Sequence, residues 1–135
     1  MGKSRILIVE DNPDNLELVR FLINQAGHQV LAATDGRKGL ALARQQLPDL
    51  ILLDLGMPEL DGWSVAEELK KDPLTNSIPV VAITAYTLPG DRRRAIEAGC
   101  DGYISKPLNV STFIEEISQY LKNPPVSPDS LPGTP

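Results

Sequence analysis

The sequence predicts an α/β fold in which a five-stranded parallel sheet lies between two layers of helices. Five short apolar runs alternate with segments of helical spacing, in the order strand then helix, five times. The first, third and fourth runs are almost continuously apolar, which is typical of strands buried on both faces. Parallel strands need crossovers, and these are right-handed helical connections. The pattern therefore favours a three-layer α/β sandwich. The runs occupy residues 6–9, 30–33, 50–53, 80–83 and, more weakly, 103–104.

The first predicted helix lies between the first two runs. Asn12 can cap its start, and Pro13 suits the first helical position because its missing N–H needs no partner there. Gly27 is a plausible C-terminal stop, since glycine adopts the left-handed conformation at little cost. The apolar residues recur at a spacing near 3.6, which gives the helix one buried face. They are Leu16, Val19, Leu22, Ile23 and Ala26.

Four further helices follow the later runs. Weaker helical patterns occupy residues 36–46, 63–71 and 89–98, and Gly99 is placed to end the last of these. The final helix has Asn109 as a candidate cap and a single apolar stripe. That stripe consists of Val110, Phe113, Ile114, Ile117 and Leu121.

Charge and composition narrow the classes of partner. The chain has 135 residues and a net charge of −5 at pH 7, so it lacks the basic balance of a typical nucleic-acid-binding protein. Residues 92–94, all arginine, form the only basic run; we interpret it as a solvated helix face, with a partner-docking patch as the alternative. With Cys100 as the sole cysteine, no intramolecular disulfide can form, which allows a cytoplasmic location.

Segment composition predicts one folded domain at residues 1–122 and a tail at 123–135. Prolines crowd the tail and Asp129 is its only charged residue, so it cannot bury a core and is expected to be disordered. Neither a signal peptide nor an apolar segment approaching the roughly 18 residues of a membrane span is visible. We therefore expect no membrane insertion.

Chemistry-bearing residues follow four of the five strands. In open α/β sheets, ligands bind outside the carboxyl ends of the strands. Glu10 and Asp11 follow the first run, Asp54 ends the third, Thr84 ends the fourth and Lys106 follows the fifth. Carboxylates about 4 Å apart repel by roughly 1–4 kcal/mol per pair, and a divalent cation would offset this. Oxygen ligands with retained waters suit Mg²⁺, and the lysine suits a phosphoryl oxygen.

Each residue alone has a plainer interpretation. A single carboxylate at a strand end is usually a helix cap or a solvated loop residue, and a lone threonine or a Lys-Pro turn says little. Their joint occurrence at the ends of four strands is much harder to explain in that way. Together, the acids, lysine and hydroxyl predict a phosphoryl-transfer site rather than a hydrolase triad.

Four segments resemble the receiver domains of response regulators. They are residues 6–11 (ILIVED), 54–62 (DLGMPELDG), the pair Thr84-Ala85 and the pair Lys106-Pro107. The resemblance covers about residues 4–122 and is strongest to stand-alone receivers of the cell-division-regulator kind. It implies a flavodoxin-like, doubly wound sheet of order 2-1-3-4-5 with five helices.

The resemblance also implies a role for each site residue. Asp54 would take a phosphoryl group from a histidine, and Lys106 and Thr84 would contact that group together with the Ala85 backbone N–H. Pro107 would follow a cis peptide bond that aims the lysine into the site. Mg²⁺ would be bound by Glu10, Asp11, Asp54 and the backbone carbonyl of Gly56.

A switch of the protein-binding surface is the further implication. Thr84 would turn toward the phosphoryl group, Tyr103 would swing into the vacated space, and the face formed by the fourth helix, fifth strand and fifth helix would change. The expected partners are a sensor histidine kinase or histidine-phosphotransfer protein and a downstream protein target, with a homodimer possible. Such a switch catalyses only its own phosphorylation and dephosphorylation.

Two other classes of protein remain as alternatives. A Mg²⁺-dependent enzyme, such as a haloacid-dehalogenase-type phosphatase or a Toprim nuclease, would carry a second acid two residues after the strand acid. Gly56 stands there instead. A phosphate-independent pseudo-receiver usually lacks an acid, the threonine or the lysine, all of which are present. Mg²⁺ binding distinguishes the receiver from the pseudo-receiver.

Overall fold

The computed structural model describes residues 4–56, 62–85 and 89–121, without the side chains of residues 89, 91 and 92. Strands and helices alternate throughout the described part, as the sequence predicts. The strands are β1 (Arg5–Val9), β2 (Gln29–Ala33), β3 (Leu50–Asp54), β4 (Val80–Thr84) and β5 (Gly102–Ser105). The helices are α1 (Pro13–Gln25), α2 (Gly36–Gln46), α3 (Gly62–Lys71), α4 (Pro89–Glu97) and α5 (Phe113–Leu121).

The sheet is parallel throughout and has the strand order β2-β1-β3-β4-β5. The predicted order is confirmed. Because β1 pairs with both β2 and β3, the winding direction reverses beside β1. The carboxyl ends of β1 and β3 therefore flank the crevice in which such sheets bind ligands.

Both faces of the sheet are covered, which explains the continuous apolar runs. Along β1, Ile6 and Ile8 face a cluster with α1 and α5, whereas Leu7 and Val9 face a cluster with α2, α3 and α4. Successive strand side chains point to opposite faces, so a strand buried on both sides needs apolar residues at every position. The buried Cys100 belongs to the second cluster.

Helix ends follow the predicted signals closely. The Asn12 side chain accepts hydrogen bonds from the N–H groups of Asp14 and Asn15 at 2.9 and 3.1 Å, and Pro13 is the first residue of α1. Helix α2 has the predicted bounds. Gly27 and Gly99 follow α1 and α4 with φ angles of 89° and 102°, which confirms both as stops.

The start of α5 differs from the prediction. The helix begins at Phe113, and Val110, placed on its apolar stripe, is 54% exposed. Residues 110–112 form turns in which the Asn109 side chain accepts the Ser111 N–H at 3.1 Å and the Ser111 hydroxyl at 2.8 Å. Short polar side chains that bond locally compete with helix formation, which explains the later start.

Some predicted features lie outside the described residues. These are the tail at 123–135 and residues 57–61 of the segment that carried the resemblance. Across residues 4–56, 62–85 and 89–121, no helix is both long and apolar enough to cross a membrane.

Candidate functional site

Three carboxylates meet at the carboxyl edge of the sheet. Glu10 and Asp11 follow β1, Asp54 ends β3, and the two strands are neighbours. One carboxylate oxygen from each residue lies within 4.8 Å of the others. Glu10 and Asp54 are buried, whereas Asp11 is exposed. The structure therefore brings together the three acids that the sequence placed at two strand ends.

Glu10 is held by hydrogen bonds at both carboxylate oxygens. One oxygen accepts the Asn12 N–H at 3.1 Å, and the other lies 3.1 Å from the Lys106 ammonium. Burial raises the pKa of Glu10, the nearby Asp54 carboxylate raises it further, and the bonds from Asn12 and Lys106 oppose both effects. The net direction is upward because desolvation disfavours the charged form.

The two oxygens of Asp54 have different neighbours. One accepts the Gly56 backbone N–H at 3.0 Å, and the other lies 3.6 Å from the Lys106 ammonium. Only 10% of the Asp54 side chain is exposed. The carboxylate is thus oriented by the turn that follows β3, with one oxygen directed toward a positive charge.

Lys106 follows β5, the edge strand that is separated from β3 by β4, and its side chain extends to the acids. Its backbone N–H donates to the Thr84 carbonyl at 2.8 Å, and the Lys106–Pro107 peptide bond is cis, as the resemblance implied. The ammonium lies between Glu10 and Asp54. One amine facing three carboxylates leaves excess negative charge at this edge, which a divalent cation can offset.

Thr84 and Tyr103 lie on one face of the sheet. Thr84 is fully buried at the end of β4, and Tyr103 in β5 is half-buried against the α2–α4 cluster. Ala82 pairs with Tyr103 and Thr84 pairs with Ser105, and alternate strand residues share a face. The two residues of the expected switch are therefore close in register. Ala85 follows Thr84 and is exposed.

Gly62 is a site-supporting residue whose role the sequence did not predict. A Cβ atom at this position would lie 2.4 Å from the Asp54 carbonyl oxygen and 2.5 Å from the Leu55 Cα. The Gly62 N–H also points at the Leu55 carbonyl, at 3.4 Å. Helix α3 can therefore start directly against the end of β3. The available signal was a glycine shortly before the helical spacing that begins at Trp63.

A cavity of about 130 Å³ adjoins the acids between α1 and the segment after β5. Glu10 and Lys106 are among the residues that line it. Its remaining walls are largely apolar and include Leu18, Pro107 and Leu108. An apolar group could therefore bind directly beside the carboxylates.

The donor set fits Mg²⁺ and a phosphoryl group. All three clustered side chains offer oxygen, the ligand that Mg²⁺ prefers, and a carboxylate beside an ammonium can act as a nucleophile toward phosphorus. Gly56 contributes an N–H to Asp54 rather than the second acid that a Mg²⁺-dependent phosphatase or nuclease would carry. The geometry thus favours phosphoryl transfer onto the protein itself.

Comparison with known proteins gives consistent matches. Residues 6–118 match the response regulator receiver domain family. Polar-differentiation response regulators DivK from Brucella anthropi and Brucella ovis are each 46% identical over 121 residues, which is 90% of this chain and 98% of theirs.

Solved structures give the same result. The chemotaxis protein CheY4 of Vibrio cholerae has a TM-score of 0.84 at 26% identity, over 89% of this chain and 100% of that one. The receiver domain of the sensor histidine kinase PA1611 from Pseudomonas aeruginosa has a TM-score of 0.82 at 31% identity, over 89% and 98%. A magnesium ion is coordinated in the active site cleft of that receiver.

Proposed function

Because this chain belongs to the family of response regulator receiver domains, which act in two-component signalling, we propose that Asp54 is its phosphoryl acceptor. A sensor histidine kinase or a histidine-phosphotransfer protein is the donor. A carboxylate oxygen of Asp54 attacks the phosphorus of phosphohistidine, the P–N bond breaks, and the imidazole keeps the electron pair and gains a proton. The product is an acyl phosphate on Asp54.

One geometric observation supports this assignment above the others. Asp54 is buried, its carboxylate is oriented by the Gly56 N–H, and the Lys106 ammonium lies 3.6 Å away. Lys106 would bind an oxygen of the transferred group, and the Thr84 hydroxyl and Ala85 N–H would bind another. Such fixed donors stabilise the charge that spreads over the phosphoryl oxygens during transfer.

Glu10, Asp11 and Asp54 would hold Mg²⁺, with the Gly56 backbone carbonyl as a further ligand. When bound, the ion offsets the negative charge of the carboxylates and of the incoming phosphoryl oxygens. The chain catalyses only its own phosphorylation and dephosphorylation, so it acts as a switch rather than as an enzyme with turnover on other substrates.

The output is a change in a protein-binding surface. Phosphorylation changes the Asp54 carboxylate into a group of roughly −2 charge with more acceptor oxygens, which favours contacts from the Thr84 hydroxyl and the Lys106 ammonium to the phosphoryl oxygens. Tyr103, on the same sheet face as Thr84, would follow, and the face made of α4, β5 and α5 would change its affinity for a downstream protein. A homodimer through that face is an alternative output.

Residues 1–122 form the receiver unit, and residues 123–135 lie outside it. The proposed location of the protein is the cytoplasm.

Intact mass after incubation with Mg²⁺ and acetyl phosphate or phosphoramidate tests the acceptor. We expect one labile phosphoryl group on the parent and none on Asp54→Asn. As a matched control, Asp14→Asn, an exposed acid in the first turn of α1, should be modified like the parent. Modification of Asp54→Asn equal to that of the parent would contradict the assignment.

A second measurement separates the receiver from its alternatives. Failure to take up phosphoryl from either donor, together with no binding of Mg²⁺ and beryllofluoride, would favour a phosphate-independent interaction module. Sustained hydrolysis of a phosphate ester, beyond one phosphoryl group per chain, would favour the enzyme.

A further inference from the structure

Little apolar surface is buried by those side chains of helix α4 that the structure describes. Among its described side chains, at positions 93–97, Ala95 is buried, the others are exposed, and Ile96 is 61% exposed. Burial of a single methyl group contributes little compared with burial of a leucine or isoleucine side chain. Helix α1, in contrast, buries Leu16, Val19, Leu22 and Ile23.

A stacked arginine supplies the specific side-chain contact between α4 and α3. The Arg94 guanidinium lies 4.4 Å from the centroid of the Trp63 ring. Trp63 is only 7% exposed and belongs to the α2–α4 cluster, so it offers a fixed surface. A planar guanidinium over an indole gains both cation–π attraction and stacking. This contact therefore adds a directional constraint on the position of α4, which the burial of one alanine does not supply.

Trp63 is in turn fixed relative to the acceptor strand. It directly follows Gly62, which leaves no room for a Cβ against the Asp54 carbonyl and the Leu55 backbone. A shift of the β3 end would be passed through Gly62 to Trp63, and through the ring to Arg94. The close approach of Gly62 to the end of β3, its peptide bond to Trp63 and the Arg94–Trp63 stack thus join the acceptor strand to α4 without passing through Thr84.

We propose that Arg94 is a positioning residue for α4, and that its stack on Trp63 couples the position of this helix to the Asp54 site; the coupling rests on the function proposed above. Opening of the stack releases α4 while the cores on both sheet faces stay packed. Phosphorylation and α4 movement then affect each other through this contact, in addition to the chain connection after Thr84.

Hydrogen exchange of the α4 amides tests the positioning role. Arg94→Gln should speed exchange across residues 89–98 by about two- to fivefold, the factor expected for loss of an exposed cation–π contact, and leave α1 and α5 unchanged. Arg93→Gln is the matched control, because Arg93 is an exposed neighbour on the same helix. It should exchange like the parent.

Two further readouts exclude a general loss of stability. Trp63 is the only tryptophan, so its fluorescence reports on the stack directly, and acrylamide should quench it more in Arg94→Gln than in the parent or Arg93→Gln. Arg94→Lys keeps the positive charge but lacks the planar guanidinium. Its α4 amides should exchange at a rate between those of the parent and Arg94→Gln. Unchanged α4 exchange in Arg94→Gln, or faster exchange throughout the protein, would overturn the positioning role.

Titration with beryllofluoride in the presence of Mg²⁺ tests the coupling. Coupling between two sites is reciprocal, so the half-saturating concentration for Arg94→Gln should differ from that of the parent by about twofold or more. The value for Arg93→Gln should match the parent. Equal values in all three proteins would refute the coupling. If none of them bound, parent included, the acceptor assignment would fail and the coupling with it, while hydrogen exchange would still decide the positioning role.

Discussion

Charged side chains are arranged differently at the two ends of the parallel strands. We call these the carboxyl edge and the amino edge of the sheet. At the carboxyl edge, Glu10, Asp11 and Asp54 come together, and the Lys106 ammonium contacts Glu10 and Asp54. At the amino edge, the Lys70 ammonium donates to the Asp101 carboxylate and the Ile78 carbonyl, both at 2.9 Å, and to the Asn76 carbonyl at 3.2 Å. The carboxyl edge therefore holds three like charges close together, whereas at the amino edge the Lys70 ammonium has three hydrogen-bond acceptors.

Further contacts extend the contrast. The Arg5 guanidinium donates to the Gln46 and Leu47 carbonyls and so caps the end of α2. Arg44 bonds the Asp72 carboxylate at 2.7 Å. The amino edge is therefore built for stability, and the carboxyl edge retains electrostatic repulsion that a cation and a phosphoryl group can use. Removal of a charged partner at the amino edge should lower the free energy of unfolding, and removal of an acid at the carboxyl edge should raise it.

The largest expected effect is at Lys70. Lys70→Met keeps the aliphatic stem but leaves the Asp101 carboxylate and the Ile78 carbonyl without the ammonium. We expect a loss of about 2–3 kcal/mol in the free energy of unfolding, measured by urea denaturation. Lys71→Met, at the exposed neighbouring position, should change it by less than about 0.5 kcal/mol. A similar loss in both variants would contradict the contrast between the edges.

Asp54→Asn should have the opposite sign. Removing one of three clustered charges should raise the free energy of unfolding by about 1 kcal/mol in EDTA, since Lys106 already offsets part of the repulsion. Saturating Mg²⁺ should stabilise the parent more than the variant and reduce this difference. If Asp54→Asn is less stable than the parent in EDTA, the carboxylate cluster is not a source of strain.

The pH dependence of stability should also differ in sign. The pKa of Glu10 is raised, so the folded state holds its proton to higher pH than the unfolded state, and stability falls as pH rises from about the ordinary glutamate value through the folded pKa. The pKa of Asp72 is lowered by the Leu74 N–H and by Arg44, so its contribution is present above the ordinary aspartate value and is lost as pH falls through the folded pKa.

Denaturation of Glu10→Gln and Asp72→Asn across pH 2–8, without metal, measures both contributions. Relative to the parent, Glu10→Gln should lose less stability as pH rises, and Asp72→Asn should lose less as pH falls. If the plot of unfolding free energy against pH for a variant runs parallel to that of the parent, the substituted residue does not contribute to the pH dependence of stability.

The smallest effect is expected at Leu47, which lies at the amino edge and has an unfavourable backbone conformation for a residue with a side chain. It ends α2 with a φ of 47° and is 46% exposed, so its side chain adds strain at a position that glycine adopts readily. Leu47→Gly should raise the unfolding free energy by about 0.5 kcal/mol, because relief of strain exceeds the added entropy of the unfolded chain. Leu47→Ala keeps the strain and should bring no such gain.

Residues that act locally were the ones that the sequence predicted well. Strand runs, the Asn12 cap and the two glycine stops follow from patterns within a few residues, and the acids could be placed because strand ends of a parallel sheet meet. Arg94 was interpreted as part of a solvated arginine run, since its partner Trp63 lies far along the chain. Trp63 was placed in a predicted helix, but its burial depends on packing between helices that periodicity does not specify.

The buried thiol of Cys100 makes the protein a convenient background for site-specific labelling. Burial, and secondarily the Asp101 carboxylate, raise the pKa of Cys100 to about 11, so its reactive thiolate is scarce near neutral pH. A cysteine introduced on an exposed helix face would therefore react first with a maleimide probe, without removal of the native thiol. Pairs of such probes on α1 and α4 would allow distances between the two helical layers to be followed as a partner binds.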